Sequence, residues 1–85
     1  MSNLRKQFGQ RVRHIREELG KTQEEFAETV GMSVDFLSLI ERGRNAPSFE
    51  KLALMAKGLR VPVAYFFTFD ASPSSSARRK RKGPL

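Results

Sequence analysis

Side chains that are candidates for phosphate binding lie at two places in this 85-residue chain. One is a run of five basic residues at 78–82, and the other comprises Arg42, Arg44 and Asn45. Guanidinium and ammonium groups bind phosphate oxygens, so both places are candidates for contact with a nucleic acid. The chain has a net charge of +7, but residues 1–70 hold 11 basic against 9 acidic residues. The charge of that part alone therefore does not predict DNA binding, and the prediction has to rest on pattern.

The residue types do not indicate catalysis or metal binding. The chain has no cysteine and one histidine, His14, on the polar side of a predicted helix beside Glu17 and Glu18. No Gly-rich phosphate loop and no cluster of metal ligands is visible. We expect no enzymatic activity, cofactor, metal or small-molecule ligand. The N-terminus lacks a signal-peptide pattern and no stretch approaches membrane-spanning length, so we expect a cytoplasmic protein with no membrane contact.

Helices must position these side chains, because apolar residues recur at helical spacing along most of the chain. A first helix is predicted over 4–19, ending at Gly20, and a later one follows Pro47 and Ser48. The apolar stripe of the first helix is Phe8, Val12, Ile15 and Leu19. The stripe of the later helix is Leu52, Met55, Ala56 and Leu59.

Two short helices are predicted between them, in "TQEEFAETVGMSVDFLSLIERG", which runs from Thr22 to Gly43. Thr22 and Glu25 form a capping box, and Gly31 suits the left-handed end of the first of these helices. Ser33 is a good N-cap for the second. Neither helix is long enough to be stable alone, so their apolar residues must pack on each other and on the rest of the chain. Those residues are Phe26, Val30, Met32, Leu37 and Ile40.

The C-terminal part is harder to assign. Residues 62–69 suit a helix that begins at Pro62, and their valines and aromatics also suit a strand. We favour a short helix, because a lone strand in a helical chain has no pairing partner. Residues 71–85 have no apolar face and are predicted to form a disordered basic tail, which leaves 1–70 as the folded domain.

The segment from Phe8 to Phe67 resembles the Cro/XRE-type (lambda-repressor-like) helix-turn-helix family. The resemblance rests on the stretch from Thr22 to Gly43, preceded by "RVRHIREELG" and followed by "PSFEKLALMAKGLRVP". It implies an all-α, compact five-helix bundle whose third helix lies in the DNA major groove. The alternative is a helical bundle whose tight turn is coincidental.

The start of the third helix would then meet the base edges. The candidates for base contacts are Ser33, Val34, Asp35, Phe36, Ser38 and Leu39. The set has no Arg, Lys, Asn or Gln to form bidentate contacts with guanine or adenine. Val34 suits a thymine methyl group, and the two serines can bind bases or phosphates. Asp35 can accept from cytosine, although an acid in a first helical turn is also stabilised by the helix dipole.

Phosphate contacts are expected from four residues. Gln23 resembles the family glutamine that binds the DNA backbone at a helix N-terminus. Arg42, Arg44 and Asn45 follow the third helix and are expected to reach phosphate, with a plain exposed loop as the alternative.

Two charges lie beside apolar stripes. Arg16 is four residues after Val12, and Glu41 is four after Leu37. A charge in such a position needs a partner, since an unpaired buried charge is very costly. The simplest solution is an ion pair between them that ties the first helix to the third, and the family resemblance implies the same pair.

The last element carries more apolar area than one face of a short helix can bury. Its candidates for a dimer interface are Val63, Tyr65, Phe66, Phe67 and Phe69. The alternative is that these residues only close the core. Together the observations predict a sequence-specific transcriptional regulator, a repressor that binds an inverted repeat as a homodimer. A protein-interaction or antitoxin-like module, in which binding of double-stranded DNA is secondary, is the other interpretation.

Overall fold

A computed structural model describes residues 3–69 of the chain, and this part contains helices and no strand. The four α-helices are α1 (Leu4–Glu18), α2 (Gln23–Val30), α3 (Val34–Glu41) and α4 (Phe49–Leu59). A 3₁₀ helix, Val63–Phe67, follows them. No helix in the described part is long and apolar enough to cross a membrane. The predicted basic tail, 71–85, lies outside the described residues.

The predicted fifth α-helix is a 3₁₀ helix instead. Pro62 has extended backbone angles and is its N-cap, not its first helical residue. The N–H of Tyr65 donates to the carbonyl oxygen of Pro62 at 2.9 Å, which is the three-residue spacing of a 3₁₀ turn. A segment of five residues can form few of the hydrogen bonds of an α-helix, which join residues four apart, so it gains little stability from the α-helical conformation. Within residues 3–69 the bundle therefore has four α-helices and one 3₁₀ helix.

Side-chain caps start three of the helices where the sequence places them. Thr22 Oγ1 accepts from the N–H of Glu25 at 3.1 Å, and Glu25 Oε1 accepts from the N–H of Thr22 at 2.9 Å. Ser33 and Ser48 each accept a backbone hydrogen bond at 3.1 Å. Caps of this kind contribute about 1 kcal/mol each, which matters for helices of 8 residues.

The core lies where α1, α2, α3, α4 and the 3₁₀ helix meet. Helix α1 packs on α3 and on the 3₁₀ helix, while α2 packs on α3 and α4. The fully buried large side chains are Val12, Phe26, Val30, Leu37, Ile40, Met55 and Phe66. Leu19, predicted as part of the first stripe, is instead half exposed, because α1 ends at Glu18 and Leu19 is its C-cap.

Helices α1 and α3 approach each other at Gly9. A Cβ atom built on Gly9 would lie 2.1 Å from the carbonyl oxygen of Ile40. Only a residue without a side chain fits against the α3 backbone there. This contact places α3 at a fixed distance from α1.

Candidate nucleic-acid interface

The turn between α2 and α3 gives α3 its direction. Gly31 is the C-cap of α2 in the left-handed conformation, with φ of 77°, which L side chains rarely adopt. The N–H of Met32 donates to the carbonyl oxygen of Ala27 at 2.9 Å and closes the end of α2. Two residues after the glycine, Ser33 caps α3. A tight turn thus explains a glycine in the middle of a helical pattern.

Lys51 braces this turn from α4. Its Nζ donates to the carbonyl oxygen of Gly31 at 2.8 Å. A lysine at this point satisfies an unpaired carbonyl and places a positive charge at the negative end of α2. The sequence does not predict this contact, because no local pattern links Lys51 to Gly31, 20 residues away.

One face of α3 is buried and the other lies outside the core. Leu37, Ile40 and Glu41 are buried, and each predicted base-contacting residue is at least partly exposed. Some of those side chains already make contacts within the chain. Val34 and Phe36 pack against the edge of the core, while Ser33 accepts the cap hydrogen bond through Oγ. The outward surface of α3 is therefore made of hydroxyl groups, apolar side chains and one acid, Asp35.

The inward face of α3 carries the ion pair with α1. Arg16 Nε donates to Glu41 Oε2 at 2.7 Å, and a second guanidinium N–H donates to Oε1 at 3.0 Å. The two side chains are only 14% and 4% exposed. Hydrogen bonding to Glu41 raises the pKa of the Arg16 guanidinium above its ordinary value, although burial acts in the opposite direction. The Arg16 guanidinium therefore stays charged in the folded protein and forms a bidentate pair with the Glu41 carboxyl group.

Gln23 extends this pair to the start of α2. Its Nε2 donates to Glu41 Oε1 at 3.1 Å, which leaves its second N–H and its oxygen available for other partners. The side chain predicted to bind phosphate is thus held on the same carboxylate that orients α3. We define the α3 surface as the exposed side of α3 together with Gln23 and residues 42–45.

The loop after α3 adds positive charge to the α3 surface. Arg42 and Arg44 are exposed, and within residues 3–69 neither side chain has a hydrogen bond or an ion pair. Asn45 is half-buried, and its Oδ1 accepts from the N–H of Ala46 at 2.8 Å. The two arginines are therefore available cations beside α3.

Other arginines are already engaged within the chain. Arg11 donates to the carbonyl oxygen of Tyr65 at 3.0 Å, and its guanidinium carbon lies 4.5 Å from the centre of the Tyr65 ring. Arg13 pairs with Glu17 at 3.1 Å on the exposed side of α1. His14 likewise lies 3.2 Å from Glu18. None of these contacts involves a residue of the α3 surface.

The predicted dimer residues do not form one exposed face. Phe66 is fully buried against Phe8 in the core, which removes it from the predicted interface. Tyr65 is half-buried beneath Arg11. Val63 and Phe67 are each 40% exposed, and Phe69 is half-buried with its ring 6.1 Å from that of Phe67. Part of this segment therefore closes the core, and an interface formed by the rest of it stays a prediction.

Among the described residues, four exposed large apolar side chains lie outside the predicted interface, those of Leu4, Leu19, Phe49 and Leu54. Phe49 is 87% exposed and Leu4 is 50% exposed. The sequence gives no signal for the exposure of Phe49, because it stands three residues before Leu52, at the spacing of the apolar stripe of α4. The sequence predictions used that stripe and left Phe49 unexplained.

Comparison with known proteins gives a consistent result. A family model described as helix-turn-helix matches residues 12–66. A transcriptional regulator in the ATPase CF(0) region of Rhodospirillum rubrum is 45% identical over 60 residues, which are 71% of this chain and 56% of that protein. The chain spans about half the length of the curated relatives that it matches.

Solved structures show the same likeness. The restriction-modification controller protein C.AhdI from Aeromonas hydrophila superposes with a TM-score of 0.69 at 28% identity, over 74% of this chain and 96% of the controller. The clp gene regulator ClgR from C. glutamicum superposes with a TM-score of 0.70 at 35% identity, over 85% and 94% of the two chains. Both similarities cover most of the described part of the chain.

Proposed function

The chain belongs to the Cro/XRE-type helix-turn-helix family of DNA-binding transcriptional regulators, and we propose that it is a repressor that binds an inverted-repeat operator as a homodimer. Helix α3 enters the major groove, beginning at Ser33. The operator lies where its occupation blocks transcription, and the protein works in the cytoplasm at the nucleoid.

The arrangement of α3 is the observation that carries this proposal. The helix is held from three sides, by the Gly9 contact, by the Glu41 ion pair and by the turn at Gly31, while its first turn stays exposed. An exposed helix on a rigid support is what readout of base edges requires. Val34 and Leu39 supply apolar contacts to thymine methyl groups, and Ser33, Asp35 and Ser38 supply hydrogen bonds. Phe36, partly in the core, packs against sugar and methyl groups.

Phosphate binding then fixes the position of α3 in the groove. Gln23 and the exposed N–H groups at the start of α2 bind one strand, and Arg42, Arg44 and Asn45 bind phosphates beyond the end of α3. The basic tail adds affinity that does not depend on sequence.

Replacement of Arg44 with alanine tests the phosphate contacts. We expect weaker binding to every duplex and a slope of log K against log salt that is smaller by about 1, because one fewer counterion is released. The measurement is fluorescence anisotropy of a labelled duplex at several salt concentrations.

Lys57→Ala is the matched control for that experiment. Lys57 is exposed in the last turn of α4, and its removal changes the net charge by the same amount. We expect its slope to stay near that of the wild type. An equal change in both variants, or none in Arg44→Ala, would show that Arg44 does not contact phosphate.

A second candidate function rests on the composition of α3. The helix itself, Val34–Glu41, lacks the Arg, Lys, Asn and Gln side chains that usually read bases, and that composition also suits a protein-interaction or antitoxin-like module. Competition between a candidate partner protein and duplex DNA for the chain distinguishes the two. Displacement of the partner by DNA at equimolar concentration favours the regulator.

A further inference from the structure

Lys6 places a positive charge in the first turn of α1, where the helix dipole disfavours it. Arg5 precedes it, and this first turn contains no acid. Asn3, the N-cap, makes no side-chain hydrogen bond to the N–H groups that begin the helix. The start of α1 therefore lacks both the charge and the cap that stabilise such an end, and its cations need another explanation.

A close contact places Lys6 beside the loop that follows α3. A Cβ atom built on Gly43 would lie 3.0 Å from Cα of Lys6 and 3.4 Å from its Cβ. The backbone of loop 42–45 therefore lies directly against α1 at this residue. Gly9, three residues further along α1, packs in the same way on the end of α3. These two contacts hold Lys6 at a fixed place beside the α3 surface.

The contact with Gly43 puts Lys6 next to Arg42 and Arg44, which stand on either side of that glycine. All three side chains are exposed, and within residues 3–69 none of them has a hydrogen bond or an ion pair. We call these three side chains the cationic group. Like charges that meet without a partner repel one another, and a bound anion removes that repulsion.

The acids of the described part do not neutralise the cationic group. Residues 3–16 and 42–48 contain no acid. Glu41 is buried and already paired with Arg16, and the exposed Glu50 in the first turn of α4 forms no ion pair within residues 3–69. The cationic group is therefore available to an anion from outside the chain.

We propose that Lys6 binds a DNA phosphate, so that the cationic group contacts one stretch of the backbone from both sides of Gly43. This rests on the proposed function and adds α1 to the surface that carries it. DNA is the anion because loop 42–45 belongs to the α3 surface and Lys6 directly continues that surface. Unlike the two arginines, Lys6 stands on a helix that the Gly9 contact and the Glu41 ion pair fix to α3. Its phosphate contact therefore sets the position of α3 relative to the backbone.

A structural role for Lys6 has a different experimental signature. Helix α3 has no basic residue in its last turn, and a lysine beside that end would also offset the negative end of the α3 dipole. In that role Lys6 would stabilise the fold without contact to DNA. The stability and the salt dependence of the same variant separate the two roles.

Lys6→Ala in the full chain is compared with wild type by fluorescence anisotropy of a labelled duplex at several salt concentrations. We expect weaker binding and a slope of log K against log salt that is smaller by about 1, because one fewer counterion is released. The urea midpoint should stay the same or rise, because the variant removes a positive charge from a first helical turn and alanine favours helix.

Two further variants serve as controls for that measurement. Lys6→Arg keeps the charge and should keep the wild-type slope. Lys57→Ala removes an exposed lysine of α4 that lies outside the α3 surface, and it should keep the wild-type slope as well.

The proposal is overturned by a wild-type slope in Lys6→Ala, by an equal loss in Lys57→Ala, or by a slope in Lys6→Arg as low as that of Lys6→Ala. A lower urea midpoint at an unchanged slope would assign Lys6 to the α3 dipole instead. Selection of duplexes separates this result from the proposed function. An unchanged slope on a duplex that the wild-type chain selects would refute the Lys6 contact alone. A smaller slope in a chain that selects no sequence would leave the Lys6 contact standing and refute the sequence-specific regulator.

Discussion

Gly9→Ala is expected to destabilise the protein by about 3 kcal/mol or more, although alanine is the better helix former. In a free helix the substitution would contribute roughly 1 kcal/mol of stability. Here the new methyl group would lie 2.1 Å from the carbonyl oxygen of Ile40 and 3.1 Å from that of Glu41. Both atoms belong to the α3 backbone, which cannot move aside as a flexible side chain can. The steric term therefore exceeds the propensity term, and α1 and α3 must separate.

Urea denaturation followed by circular dichroism measures this effect. Gln10→Ala is the matched control, because it is the next residue of α1 and is exposed. There the propensity of alanine acts alone, and stability should stay the same or rise by a few tenths of a kcal/mol. If Gly9→Ala were as stable as Gln10→Ala, the close packing of α1 on α3 would be refuted.

Glu41→Gln is the second large effect, with an expected loss of about 3 kcal/mol. The amide keeps the shape of the side chain but removes the charge opposite the guanidinium of Arg16, which is only 14% exposed. Loss of one partner from a buried pair typically costs 3–5 kcal/mol, because the other charge stays buried without compensation. The substitution also disturbs Gln23, which shares Glu41 Oε1 with Arg16.

A double-mutant cycle isolates the pair. Arg16→Met with Glu41→Gln should be much less destabilised than the sum of the single variants, with a coupling energy of about 2 kcal/mol. The pair Arg13 and Glu17 is the control, since both side chains are more than half exposed on the same helix. Exposed pairs of this kind couple by about 0.3–0.5 kcal/mol. A coupling in that range for Arg16 and Glu41 would contradict a buried, orienting ion pair.

Local features of the sequence predict much of this fold. The capping box at Thr22, the glycine turn at Gly31 and the caps at Ser33 and Ser48 involve residues within a few positions of each other. Apolar stripes place the core side chains of α2, α3 and α4 correctly. A charge beside a stripe must find a partner, and this reasoning brings Arg16 and Glu41 together 25 residues apart.

Local patterns do not predict the conformation of the C-terminal element. A five-residue segment does not distinguish three residues per turn from 3.6, so it does not reveal whether Phe66 or Phe67 is buried. The structure buries Phe66 and leaves Phe67 at the surface. The contacts of Arg11 with Tyr65 and of Lys51 with Gly31 depend on how whole helices pack, and no local pattern indicates them.

The proposed DNA-binding role of α3 is tested most directly by selection of duplexes from a random pool at near-physiological salt. The full chain and a chain ending at Asp70 are compared, because the described core lies entirely before that residue. We expect both to enrich the same inverted repeat, with half-site centres about one helical turn, roughly 34–36 Å, apart. The full chain should differ only by tighter, more salt-dependent binding. If the shorter chain enriched no sequence and the full chain bound all duplexes alike, the basic tail would supply the affinity and α3 would not be a recognition helix.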